Sequence, residues 1–211
     1  YVDFAVMVYN PDINALTMNT SVGAYTAPQL QKLSANDCIT ANYTIDFDNQ
    51  PSGQPYDEAT EIQYQLLSRY TVVEKQADFN DDYTDSIRSI QGVVANPFYY
   101  GHLFIMTEQA GTPSDSAYDY ELIYHPDSVD AEGINTLFLK IKQLKGNSAD
   151  NSLRYISSQA FDVSHLVKAY GKEVTEYKYL PFYLKYQIGM NENIPVYRQF
   201  GTDTITVAIF K

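Results

Sequence analysis

The sequence predicts an all-β protein, an N-terminal OB-like β-barrel followed by a C-terminal antiparallel β-sandwich. Three observations predict it. Apolar residues recur at every second position through most of the chain, almost no segment carries the 3.6-residue period of a long helix, and Asn, Asp, Gly and Pro punctuate the alternating runs. The stretch Asn36 to Asp48 shows the pattern best. There Ile39, Ala41, Tyr43, Ile45 and Phe47 alternate with Cys38, Thr40, Asn42, Thr44 and Asp46, as in a strand with one buried face.

The other elements follow in order. Val2, Phe4, Val6 and Val8 alternate with Asp3, Ala5, Met7 and Tyr9 in a first strand, and Asn10-Pro11-Asp12 turns it. A second strand is expected over Ala15 to Thr20, with Gly23 as a bulge or turn beyond it. Ala27 to Leu33 places Pro28 in a first turn and Leu30 and Leu33 three apart, which predicts one or two helical turns. After the central strand and the polar loop Asn49 to Pro55, Ile62, Tyr64, Leu66, Tyr70 and Val72 mark a further strand. A bulge is expected in it at Leu66-Leu67. The acidic, turn-rich run Asp78 to Asp85 sets the domain boundary. Residues 1–78 are read as the barrel domain and 79–211 as the sandwich domain.

Beyond that boundary Tyr100, His102, Phe104 and Met106 alternate with Leu103 and Ile105, predicting a strand covered on both faces. Tyr118, Tyr120, Leu122 and Tyr124 form the next run, ended by His125-Pro126-Asp127. Leu137, Leu139 and Ile141 mark a strand expected to pair with Leu153 to Val163 as a hairpin. Ser164 to Tyr170 is read as a short surface helix. Leu180, Phe182, Leu184, Tyr186 and Ile188 give a strand with Pro181 at an edge or start, and Ile205, Val207 and Ile209 the last one.

Charge and composition narrow the function classes. The 211 residues carry a net charge of -12, with 20 Tyr, no Trp and one Cys. Scattered basic residues argue against a nucleic-acid groove and against binding to anionic membrane surfaces. They leave basic partners, divalent cations and neutral ligands. A single cysteine rules out an intrachain disulfide. No stretch approaches the roughly 20 apolar residues of a membrane span. The chain opens directly on a strand at Tyr1, so a leader or lipid-anchor segment upstream of Tyr1 is expected to have been removed.

Four short segments carry a resemblance. They are Asp37 through Ile45 with its Asn42-Tyr43-Thr44-Ile45 core, Asn135-Thr136-Leu137-Phe138-Leu139, Gly146-Asn147-Ser148, and Phe161-Asp162-Val163-Ser164. With the element order, they resemble the NigD-like family of Bacteroidetes envelope lipoproteins. The chain departs from that pattern at Lys140-Ile141-Lys142-Gln143, where an Arg-His-Asn type sequence would be looked for. The resemblance implies the same barrel-plus-sandwich fold and a lipoprotein of the cell envelope, outer-membrane or periplasmic, or a secreted one. It supplies no catalytic residue.

Cys38 follows Asp37 but has no histidine near it in sequence to activate a thiol, so it is read as structural. His102, His125 and His165 lack metal-ligand spacing. Asp162 or Ser164 reads as a helix N-cap, and Ser164 sits in no Gly-x-Ser-x-Gly elbow. The acidic loops at Asp46 to Asn49, Asn80 to Asp82 and Asp127 to Glu132 match no twelve-residue calcium loop and read as solvated turns. Among 26 acids, no carboxylate pair is singled out for glycoside hydrolysis. Tyr99-Tyr100 and the face of Tyr118, Tyr120 and Tyr124 offer rings for a sugar or a partner's loop, against a simpler role in core or rim.

The sequence therefore assigns no catalytic, cofactor-binding or metal-binding residue and no cofactor. Together with the resemblance, it points to a non-enzymatic secreted or envelope-anchored lipoprotein acting as a protein-interaction or structural module. The expected partner is an envelope protein or a glycan, not nucleic acid, with membrane contact only through a lipid anchor upstream of Tyr1. A glycan- or small-ligand-binding accessory protein is the alternative, and a hydrolase the third reading.

Overall fold

The computed structural model describes residues 1–75, 82–95, 99, 101–146, 152–164, 166 and 178–209. Their fifteen strands form three sheets. In the first, β1 (Val2–Asn10) runs between β2 (Ala15–Thr20) and β4 (Cys38–Ile45), with β3 (Ala24–Thr26) and β5 (Ala59–Leu66) at the margins. The margins curl until they touch. Thr26 bridges Glu58, and its N–H donates to the Asp57 carbonyl at 2.9 Å. The strands thus follow a ring order β1-β2-β3-β5-β4, joined at one end by the Thr26–Glu58 bridge, a partly open barrel of the OB-like kind expected from the sequence, with β3 as a strand that reading did not include.

A single 3₁₀ turn, Pro28–Leu30, connects β3 to β4 and drops Leu30 into the barrel interior. Proline suits that first turn because its missing N–H would have no partner there. Ile39, Ala41, Tyr43 and Ile45 of β4 fill the same interior, as their alternation predicts. On β1, however, it is Ala5 and Met7 that face the barrel core. The more apolar set Phe4, Val6 and Val8 points the other way, into a separate cluster.

The strand expected from Ile62 to Val72 is two strands in two sheets. β5 ends at Leu66, and β6 (Ser68–Thr71) leaves the barrel to pair in parallel with β12 (Arg154–Asp162). Leu67 sits buried at the changeover, its N–H bonded to the Cys38 carbonyl at 2.8 Å. The slip at Leu66-Leu67 is therefore a sheet-to-sheet crossing rather than a bulge. Sheet membership changes at Leu67, ahead of residue 78. The acidic run that marked the domain boundary lies partly outside the described residues, as do Tyr100, His165, Asn80 and Asp81 and most of the helix expected over Ser164 to Tyr170.

The second sheet has the order β6, β12, β9 (His102–Ala110) and β8 (Ser89–Ala95). The third runs β14 (Ile194–Gln199), β13 (Lys178–Asn191), β11 (Asn135–Lys145), β10 (Ala117–Val129) and β7 (Val73–Glu74), with β15 (Ile205–Ile209) beside the start of β13. Leu103, Ile105 and Phe161 of one sheet pack on Leu122, Leu139 and Leu184 of the other, making the sandwich core. Each such side chain contributes about 1.5–3 kcal/mol by leaving water. Most pairings are antiparallel, but β6–β12, β7–β10 and β11–β13 run parallel.

The hairpin expected between Leu137–Ile141 and Leu153–Val163 does not form. β11 pairs with β10 and β13, whereas β12 pairs with β9 and β6 across the sandwich. Alternation shows that both segments are strands but carries no record of which sheet each one joins. β8 and β14 were missed. Gly92 breaks the alternation of β8 at a register slip, and β14 is a largely exposed edge strand containing Pro195. β10 also continues through Pro126, in a stretch where its ladder with β11 is irregular between Tyr124 and Val129. Pro181 pairs only with β15, because the pairing of β13 with β11 begins at Phe182, so it stands where one side of the strand has no ladder.

The barrel and the sandwich share a third apolar cluster. Phe4, Val6 and Cys38 from the barrel meet Phe104 and Ala160 from the second sheet, with Tyr99 and Leu67 between them. Strand β9 is therefore covered on both faces, as its sequence predicts: Leu103 and Ile105 face the sandwich core, Phe104 and Met106 the barrel. Among the described residues, no helix is long and apolar enough to cross a membrane.

Candidate functional site: an uncovered sheet edge

Strand β6 covers only part of its neighbour. It pairs with β12 from Gln159 to Asp162, while the preceding residues Arg154 to Ser158 are paired by β9 alone among the described strands. A groove of about 450 Å³ opens over that uncovered edge. The chain builds it by arriving from the barrel at Leu66-Leu67-Ser68, so that β6 joins β12 only from Gln159 onward.

The two flanks of the groove differ. On the sandwich side stand Tyr118 and Tyr120 of β10 with Tyr155 and Ser157 of β12. On the barrel side stand Thr40, Gln65, Leu66 and Ile156. Leu66 is 54% exposed and Ile156 58% exposed, unusual values for large aliphatic side chains lining a cleft. No lining side chain among the described residues is charged.

Beneath the rings lies a hydrogen-bonded layer that holds them in place. Thr107 donates to Gln159 Oε1 at 3.2 Å, and Gln159 Nε2 donates to Ser157 Oγ at 2.7 Å. The Tyr120 hydroxyl pairs with Ser157 Oγ at 3.1 Å, and Gln109 Nε2 donates to both Thr107 and Tyr120. Tyr118 donates to the Ala110 carbonyl at 2.9 Å, and its ring lies 6.4 Å from that of Tyr155 at a tilt of 41°. A buried polar layer with its bonds made is rigid, because breaking any one bond strands a group out of reach of water.

Burial raises the pKa of Tyr118, Tyr120, Tyr155 and the neighbouring Tyr70 above the ordinary phenol value. All four are neutral at physiological pH. They offer flat faces and hydrogen bonds rather than a nucleophile or a base. A larger cleft of about 640 Å³ lies on the far side of Tyr118, bordered by Asp85, Arg88 and Arg198. Its Asp85 accepts the Gln143 backbone N–H at 2.7 Å.

The structure sorts the residues read from the sequence. Tyr118 and Tyr120 meet at the groove, whereas Tyr124 turns into the core, edge-on to Phe182. Tyr99 is buried between barrel and sandwich. Cys38 shares a face with Thr40, as expected, but its end of that face is covered by the sandwich. Burial pushes its thiol up to about 12. His102 is buried on β9 with Nδ1 3.0 Å from the Tyr99 carbonyl, and His125 Nδ1 accepts the Asp127 N–H. Asp162 accepts the Ser164 N–H at 2.9 Å, a local side-chain bond two residues along, while most of the helix it was read to cap lies outside the described residues.

Two of the acidic loops bond their own backbone. Asp46 accepts the Asp48 N–H, and Asp130 accepts those of Glu132 and Ile134. Among the described residues, no three His, Cys, Asp or Glu side chains cluster as a metal site. Sequence reasoning missed Tyr155, Ser157, Gln159, Leu66 and Ile156. Tyr155, Ser157, Gln159 and Ile156 lie in the Leu153 to Val163 segment read only as a strand, and the pairing of β12 is what reveals a groove beside it.

Fold and groove together define a two-part all-β protein, a partly open barrel packed on a sandwich. No protein-family model matches the chain, and no curated protein matches it. Solved structures do. An uncharacterised protein from Parabacteroides merdae superposes with a TM-score of 0.68 at 14% identity, covering 100% of this chain and 96% of its own. A proposed lipoprotein from Bacteroides fragilis gives a TM-score of 0.55 at 14% identity, over 99% and 96% of the two chains. A NigD-like immunity protein from Bacteroides caccae gives a TM-score of 0.58 at 11% identity, over 96% and 98%. The likeness to a NigD-like protein read from short β segments is thus met by a shared fold over nearly the whole chain.

Proposed function

We propose that this chain is a non-enzymatic binding protein of the bacterial envelope, held by a lipid anchor or secreted, which works by gripping a partner protein at the groove beside β12. The observation that carries the reading is the lining: neutral phenols, hydroxyls and amides set on a rigid polar layer, with Leu66 and Ile156 left exposed on the opposite flank. Such a surface combines apolar area with hydrogen bonding and does not move protons, which suits recognition. The proposed lipoprotein and the NigD-like immunity protein among the structural neighbours support the location and the binding role. The net charge of -12 favours a basic partner through long-range steering.

The test is affinity capture from solubilised envelopes of the source organism with the purified chain as bait. The expected result is one dominant polypeptide that rebinds as a purified pair and is released by high salt. Recovery of no such polypeptide overturns the reading. A second reading, a glycan-binding accessory protein, draws on the tilted Tyr118–Tyr155 ring pair at the groove mouth. Saturating neutral glycan raises the melting temperature if that reading holds and leaves it unchanged otherwise.

A further inference from the structure

We infer that the groove is a vacant strand position, and that its occupant is an extended, uncharged polypeptide segment of a partner protein that adds to the second sheet in line with β6. The inference rests on the binding role proposed above and names how that site works. In a sheet each strand turns half its N–H and C=O groups to either neighbour. Along Arg154 to Ser158 the neighbour on one side is β9, and on the other, among the described residues, no strand is present. Immediately beyond, from Gln159 onward, β6 occupies that same side. An added segment would thus continue an existing pairing over about five residues, or roughly 16 Å.

The two unlike flanks fit this geometry. An added strand points alternate side chains to opposite faces of the sheet. One set would meet Tyr118, Tyr155 and Ser157, and the other Leu66 and Ile156. The segment expected is therefore apolar at alternate positions and Ser, Thr, Asn or Gln at the positions between. Charged side chains are disfavoured along Tyr155 to Ser158, where the groove lining offers no counter-charge. Basic residues flanking the segment match the net charge of the chain. Strand addition gains affinity from main-chain bonds and specificity from the alternating pockets.

The experiment pans a phage-displayed library of random peptides, about twelve residues long, against the full chain and measures the strongest synthetic binder by fluorescence polarisation. Ile156→Asp and Leu66→Asp change exposed side chains and are expected to leave the melting temperature unchanged while weakening the peptide about tenfold or more. N-methylation of the peptide backbone is expected to weaken binding at alternate residues only, since only alternate N–H groups face β12. A library without binders, or binders indifferent to both variants and to N-methylation, overturns the inference. Two further outcomes do the same: binding of neutral trisaccharides but no peptide, or self-association of the chain that Ile156→Asp abolishes. A captured envelope partner that binds both variants unchanged would leave the proposed binding role standing and remove only the groove from it.

Discussion

Tyr99 donates its phenolic proton to Asp3 Oδ1 at 2.8 Å, joining residues 96 positions apart. Asp3 also accepts the Phe4 N–H at 2.8 Å and both the N–H and the hydroxyl of Ser21. One carboxylate on the first strand of the barrel therefore pins a turn of the barrel and a side chain lodged against the sandwich. A buried bond to a charged acceptor is worth about 1.5–3 kcal/mol. Tyr99→Phe is expected to lower the free energy of unfolding by that amount in guanidinium titrations. A loss below about 0.5 kcal/mol would mean that the bond adds nothing beyond what ordinary mutations cost.

The apolar part of the same junction is the stacked pair Phe4 and Phe104, with ring centroids 4.6 Å apart. Both rings are buried, and truncating either leaves a cavity that neighbouring β-sheets cannot collapse into. Phe104→Ala is expected to cost about 3–5 kcal/mol. Differential scanning calorimetry checks it, and an unchanged melting temperature would show that barrel and sandwich do not depend on this contact.

Cys38 is the one thiol of the chain, and it lies in that junction with Sγ 3.6 Å from the Asn36 carbonyl. Its burial keeps it protonated at neutral pH. Iodoacetamide is expected to leave the native protein unmodified and to add one carbamidomethyl group after unfolding, as read by intact mass. Modification of the native protein at neutral pH would contradict the placement of this side chain.

Burial above all raises the pKa of Tyr99 and of Tyr120 in the fold, with the bond to Asp3 adding to the shift of Tyr99. A phenol whose folded value lies above its unfolded value stabilises fully below about pH 10, where both states are neutral. Above that pH the unfolded chain ionises first and stability falls. Urea midpoints are expected to start falling near pH 9, where the Cys38 thiol ionises first in the unfolded chain, and to decline more steeply beyond about pH 10 as the phenols follow. Tyr99→Phe makes that decline shallower by removing one titrating group. A decline of equal slope in the variant would count against Tyr99 as a source.

The central strand shows how much could be read without a structure. Ile39, Ala41, Tyr43 and Ile45 alternate, and they are inside the barrel. Alternation is a local consequence of the pleat, so it survives in any sheet that buries one face. β1 shows where local reading ends. Its apolar stripe Phe4, Val6 and Val8 faces the sandwich, while Ala5 and Met7 fill the barrel. A strand buried on both faces has two apolar stripes, and the pattern cannot say which belongs to which neighbour. The groove was half legible: Tyr118 and Tyr120 stood out as a ring face, while Tyr155, Ser157 and Gln159 lay unremarked in the strand read from Leu153 to Val163.

By itself the sequence determined the all-β class, the order of barrel and sandwich, the proline-started turn at Pro28 and the lack of a catalytic motif around its one cysteine. Each follows from residues near one another in the chain, through pleat period, ring constraint or required spacing. Tertiary structure alone decided that Leu67 is a crossing between sheets, that β12 sits beside β9 rather than β11, and that Arg154 to Ser158 is paired on one side only among the described strands. Strand partners are chosen by contacts between distant segments. A strand's own residues specify which of its faces is buried but leave its neighbours undetermined.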